Sequence, residues 1–227
     1  MLIARTEKDI LGWTDRAGGM ETTEQRPAAA APARPGYSPE VTRILDAAVR
    51  VMSRSTPQTL RVCDIIAEAG TCNKTFYRHF SGKDDLVMTA MERGIGVVTT
   101  AIADEMCRRA DPVDQVACWV EGLLEEMTDP HRFRMCRATV AQLSAIAGRR
   151  ASDEELMAPL RALLTDPLAA MGRRDPVRDG DAVFHCTMGT LRRHLGSGQR
   201  PPRADVTHLV QFCLSGIGVE ASGAQGL

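Results

Sequence analysis

Aromatic residues are scarce in this chain, making up 4% of its 227 positions. Strands lean on aromatic and β-branched side chains, whereas the plentiful Ala, Leu, Arg, Met and Glu favour helices. No convincing strand alternation and no internal repeat offset that bias, so the expected fold class is all-α. A strong net charge is also missing. The 28 Lys and Arg nearly balance the 29 Asp and Glu, leaving a formal −1. Any nucleic-acid signal must therefore be local. No apolar run reads as the roughly 18–20 residues of a membrane span. The N-terminus, charged from Arg5 to Asp9, lacks the apolar stretch of a secretory signal.

The seven cysteines never fall in a CxxC pair, which argues against a disulfide framework or zinc knuckle and for reduced thiols in a cytoplasmic protein. Nucleophile elbow, phosphate loop, dinucleotide fingerprint and HExxH are all absent. No enzyme, cofactor or metal site is expected. His185 and Cys186 are neighbours on one helix and diverge, and Cys107 with Cys118 is only a remote redox pair.

What is present is helical punctuation. Residues 1–36 include the Pro/Ala-rich run Arg26–Gly36 and are expected to be a disordered arm, with Met20 an alternative start. Order is expected from Ser38-Pro39, a cap followed by a first-turn proline. Val41, Ile44, Leu45, Ala48, Val49 and Met52 then recur on one helix face. A second short pattern, Val62, Ile65, Ile66 and Ala69, ends at Gly70. Phe76 and Phe80 mark a third helix that stops at Ser81-Gly82, and a long fourth begins near Lys83. Further starts are expected at Asp111-Pro112, Asp129-Pro130 and Asp175-Pro176, with a capping box at Ser152. Pro167 is expected to break its helix near Asp166, and the last two helices to span about 176–195 and 203–217.

Two short helices around a glycine turn, Val62–Phe80, form a helix-turn-helix pattern. In that arrangement the first helix braces the second, whose N-terminal half enters the major groove. Ala47–Cys63 and Ala69–Lys83 contain no acid but carry Arg50, Arg54 and Arg61, then Lys74, Arg78, His79 and Lys83. Such one-sign windows suit phosphate contact. Phe76 and Phe80 would face the core, leaving Asn73, Lys74, Thr75, Tyr77 and Arg78 toward DNA. Lys74 or Arg78 suits guanine and Asn73 adenine.

The run Thr59-Leu60-Arg61-Val62, Asp64-Ile65, Ala69-Gly70 and Thr75-Phe76-Tyr77-Arg78-His79-Phe80-Ser81-Gly82-Lys83-Asp84-Asp85-Leu86 resembles the DNA-binding domain of the tetracycline-repressor (TetR) family, over about residues 39–90. The resemblance implies a homodimer whose first three helices bind DNA, whose middle helices enclose a ligand and whose last two dimerise. It also implies that Thr75, Tyr77, His79 and Lys83 contact DNA. Cys72 departs from the serine, Lys74 from the glycine and Ile66 from the alanine common there; Thr71 or Asn73 would then cap instead.

The expected layout is a helix-turn-helix domain over 37–83, a helical regulatory and dimerisation domain over 84–220 and a flexible tail over 221–227. Expected DNA contacts are Arg61, Thr71, Asn73, Lys74, Thr75, Tyr77, Arg78, His79 and Lys83. Trp119, Met127, His131, Phe133 and Met157 are candidates for an adaptable pocket. Phe184, Met188, Leu191, Leu195, Leu209, Phe212 and Cys213 are candidates for the dimer seam. The implied partners are a pseudo-palindromic DNA operator, a second copy and an unknown small-molecule effector, with no membrane. A constitutive or activating regulator, or a helical enzyme or adaptor, are the competing readings.

Overall fold

We describe the protein from a computed structural model, covering residues 36–219 except Pro57, Glu126 and 146–149. The side chains of His131, 143–145 and 150–154 also lie outside the described set. Most of the expected arm and all of the expected tail fall outside it too.

Among the described residues every regular element is a helix. The first, α1 (Pro39–Arg54), starts where Ser38 Oγ accepts the Val41 N–H at 3.3 Å. It ends as Ser55 turns extended. Then come α2 (Val62–Ala69), α3 (Asn73–His79) and the long α4 (Lys83–Met106). Gly70 closes α2 at φ 58°, a left-handed conformation in which a side chain is strained. The Thr71 N–H reaches back to the Ile66 carbonyl at 3.1 Å and tightens that turn.

The remaining helices are α5 (Pro112–Glu125), α6 (Pro130–Ala145), α7 (Arg150–Ala162), α8 (Thr165–Ala170), α9 (Pro176–Ser197) and α10 (Arg203–Gly216). All three Asp-Pro starts are caps in fact. Asp111, Asp129 and Asp175 carboxylates accept the N–H of Val113, Arg132 and Arg178 at 2.9, 2.8 and 3.1 Å. Two boundaries differ from expectation. Because α7 starts at Arg150, Ser152 lies inside it rather than capping it. The break near Pro167 falls earlier, between Ala162 and Thr165. Pro167 then sits in the first turn of α8, where its missing N–H leaves no helical carbonyl unpaired.

Two apolar cores organise these helices. In the first, Ile44, Leu45, Ala48, Val51 and Met52 of α1 pack with Ile65, Phe76, Phe80 and Leu86. The second gathers Ile102 and Met106 of α4 with apolar residues of α5, α6, α7, α8, α9 and α10. Thus α4 serves both cores: Leu86, Val87 and Ala90 enter the first, and Ile102 and Met106 the second. This double duty explains one departure from the sequence reading. An 18-residue window of α4 has mean hydropathy 1.3, so by length and composition alone the helix passes for a membrane span. Only 28% of that window is buried, and it is the two ends of the helix that enter the two cores.

The two cores also meet directly. α1 packs against α6 as well as α4, and Arg93 of α4 pairs with Asp46 of α1 at 2.5 Å. Inside the second core the Trp119 indole N–H donates to the Leu160 carbonyl at 2.9 Å. That oxygen lies in the last turn of α7, where helical partners run out.

Candidate nucleic-acid interface

The outward face of α3 is the candidate site, and its inward face explains why it points outward. Phe76 is fully buried and Phe80 nearly so, with ring centroids 5.6 Å apart. These two anchors at i and i+4 fix the roll of a seven-residue helix too short to be stable alone. The same roll places Asn73, Lys74, Tyr77 and Arg78 in solvent, with Tyr77 59% exposed. Its ring meets Phe76 edge-on at 5.1 Å, so it is braced at the base and free at the hydroxyl. Thr71, Thr75, His79 and Lys83 are half-buried around this face, and Arg61 is exposed at the start of α2. All nine expected DNA contacts therefore lie on or beside two adjoining helices and the start of a third.

The electrostatics are less one-sided than the acid-free windows suggested. Arg50 and Arg54 of α1 both pair with Glu68 of α2, so these two cations brace the first core's helices and do not add freely to a phosphate surface. Hydrogen bonds from Arg54 and then Arg50 hold the Glu68 carboxyl below its usual range. On the other flank, Glu40 of α1 accepts from Arg78 and His79. Its carboxyl is likewise lowered, first by the His79 hydrogen bond and further by the charge of Arg78. Both acids sit just outside the windows in sequence and inside them in space.

The start of α3 is weak in the way its sequence implied. The Cys72 side chain makes no capping bond to the backbone. The thiol instead points at the Thr75 hydroxyl, 3.5 Å away. That hydroxyl, with the N–H groups of Thr75 and Lys74 behind it, favours the thiolate and holds the Cys72 pKa below the usual thiol value. All seven cysteines are free thiols, and no metal-binding cluster of His, Cys, Asp or Glu occurs among the described residues.

The other candidate residues need sorting. Trp119, Met127 and Phe133 are buried together in the second core, with Met157 packed against it, so they are brought together as filled core. The His131 side chain lies outside the described residues. Two surface hollows at the N-terminal domain lie beside Lys83, Asp84 and Met88 and between Val51, Arg54 and Glu68. The expected dimer residues divide by exposure. Phe184, Met188, Leu191, Leu195, Leu209 and Cys213 are 4–8% exposed and pack within one protomer. Only Phe212, 58% exposed, faces outward. The apolar stripes of α9 and α10 pack into the protomer's own core, and the solvent faces of both helices are mostly small or polar apart from Val177 and Phe212.

A three-helix head with its recognition helix turned to solvent defines the class: a helix-turn-helix DNA-binding regulator. Residues 44–90 match the family described as bacterial regulatory proteins, tetR family. The match covers this N-terminal domain and not the helices that follow it. Among solved structures, the fatty acid degradation regulator FadR from Bacillus halodurans aligns with TM-score 0.65 at 18% identity, over 79% of this chain and 96% of that one. Bacillus subtilis FadR, solved in complex with stearoyl-CoA, gives 0.61 at 17% over 79% and 99%. A transcriptional regulator from Rhodococcus sp. Rha1 gives 0.64 at 20% over 78% and 95%. At these identities the likeness is one of fold, and it extends over the C-terminal helices as well as the head. No curated protein matches.

Proposed function

We propose that this TetR-type regulator acts in the cytoplasm as a dimeric repressor that a small-molecule effector releases from a pseudo-palindromic operator. The observation that carries the DNA-binding half is the outward face of α3, with Lys74, Tyr77 and Arg78 presented on a buried Phe76–Phe80 brace. Arg61, Thr71, Asn73, Thr75, His79 and Lys83 complete the proposed contact set. Two such heads reach successive major grooves about 34–36 Å apart.

The regulatory half rests on continuity between the cores. α4 enters both, α6 touches α1, and Arg93 ties α4 to Asp46. An effector that prises apart the packed cluster around Trp119, Met127, Phe133 and Met157 would shift α6 and α4 against α1 and change head spacing. Ligand and operator then oppose each other by linkage. Acyl-CoA thioesters are the first class to screen, because one protein of this fold is solved with stearoyl-CoA.

The test selects bound fragments from a random duplex pool, then measures their mobility shift with wild type and a Lys74/Tyr77/Arg78 triple-alanine variant. Selection of a palindromic site, lost in the variant, is the expected result. Undiminished binding by the variant would overturn the site. Binding that no metabolite alters would favour the constitutive reading.

A further inference from the structure

Glu40 stands in the first turn of α1, behind the Ser38 cap, and faces the far end of the recognition helix. Its two carboxylate oxygens accept from Arg78 Nη2 at 3.4 and 3.3 Å. Oε2 also lies 2.7 Å from His79 Nε2. The same Arg78 nitrogen donates to the Thr75 hydroxyl at 3.2 Å. One acidic side chain thus arranges three neighbouring positions on the surface meant for DNA.

A carboxylate there is unfavourable on first principles. It repels phosphate, and a cation neutralised inside the protein is one that releases no counterion from DNA. A carboxylate and a phosphate nevertheless offer the guanidinium the same kind of charged acceptor. The two ends of the Glu40 contact also differ in hold. The Arg78 side chain is 60% exposed, at a separation where an exposed pair is weak and easily exchanged. The His79 side chain is 25% exposed and its contact is shorter.

We propose that Glu40 is a positioning residue that stands in for a DNA phosphate in the free protein, holding Arg78 over Thr75 and yielding it to the operator backbone while keeping His79. The proposal rests on the DNA-binding reading above. It reassigns His79 from phosphate contact to tether. It also gives Glu40 a role in discrimination: a loosely fitted duplex must take Arg78 from its internal partner, and a closely fitted one recovers the loss through the other contacts.

The experiment is a double-mutant cycle on the full chain with Glu40→Gln, Arg78→Ala and both. Affinity for a random-sequence duplex is read by fluorescence anisotropy across a KCl series. Glu40→Gln is expected to bind about three- to tenfold tighter at low salt, with a log–log salt slope steeper by about one. In the Arg78→Ala background that gain is expected to vanish. An equal gain in both backgrounds would mean only that a nearby negative charge was removed, and would overturn the proposal, as would no gain at all. Either result leaves the DNA-binding reading standing, whereas a wild type that binds no duplex sinks both. The Arg78 side-chain N–H resonance of the DNA-free protein supplies a fold-independent check. It is expected to move on Glu40→Gln, and an unmoved resonance removes the contact itself.

Discussion

At Phe76 and Cys72 the recognition helix shows its strongest and weakest attachments within one turn. Phe76 is fully buried between α1, α2 and α4 residues, so Phe76→Ala removes a large ring from a closed site. A loss of about 3–5 kcal/mol is expected, read by urea unfolding, and is enough to melt the head of a marginally stable domain. Cys72 is the opposite case. Without a side-chain cap, the start of α3 leaves N–H groups to solvent. Cys72→Ser supplies the missing acceptor and is expected to raise Tm by about 2 °C in calorimetry. The pH behaviour separates the two. The folded thiol pKa is lowered, chiefly by Thr75, from its ordinary 9.0. A depressed acid stabilises the fold above its unfolded pKa, and that contribution fades as pH falls through the folded one. Wild type should therefore gain Tm on approaching pH 9 relative to Cys72→Ser, and parallel curves would refute thiolate capping.

Helices α1 and α2 are joined by charge as well as by apolar packing, and that joint is testable at the scale of the element pair. Arg50 and Arg54 converge on Glu68, whose carboxyl is held below its ordinary 4.5 by those two hydrogen bonds. The sign follows directly: the stabilisation is complete above about pH 4.5 and is lost as pH falls through the lower folded value. Glu68→Gln should flatten the acid limb of the Tm–pH curve while changing DNA affinity little, because both arginines point at α2. A gain of salt-dependent DNA binding in that variant would return Arg50 and Arg54 to the interface. This joint also shows where sequence reading stops. The helices themselves were legible, because caps such as Ser38, Asp111 and Asp175 and the left-handed Gly70 are local signals. The outward set on α3 was legible too, since Phe76 and Phe80 fix one face and leave the other. Glu40 and Glu68 were not, because windows free of acid along the chain say nothing of acids brought in from a facing helix. The α9 and α10 stripes do not identify their partner for a related reason: a helix packed on a protomer core and one packed on a second copy show the same periodicity.

For the whole molecule the consequential surface is the solvent side of α9 and α10. If the apolar stripes are spent inside the protomer, a dimer must be built from what remains: His185, Cys186 and Gly189 on α9, and His208, Gln211 and Phe212 on α10. Phe212 is the one large apolar side chain in that set, and aromatic side chains are enriched at interface cores. Gly189 has open space where a Cβ would stand, so a facing helix can approach closely there. Under the dimer reading, Phe212→Asp should shift sedimentation from dimer to monomer while leaving the protomer's helical circular dichroism intact. Operator affinity should then fall steeply, because each head alone reads only half a site and the second contact no longer comes at high effective concentration. Leu209→Asp is the control. It lies 8% exposed in the protomer core, so it should unfold the chain rather than dissociate it. If Phe212→Asp stays dimeric and Leu209→Asp remains folded but monomeric, the partner faces the stripe after all, and the packing of α10 on α5 must open to admit it.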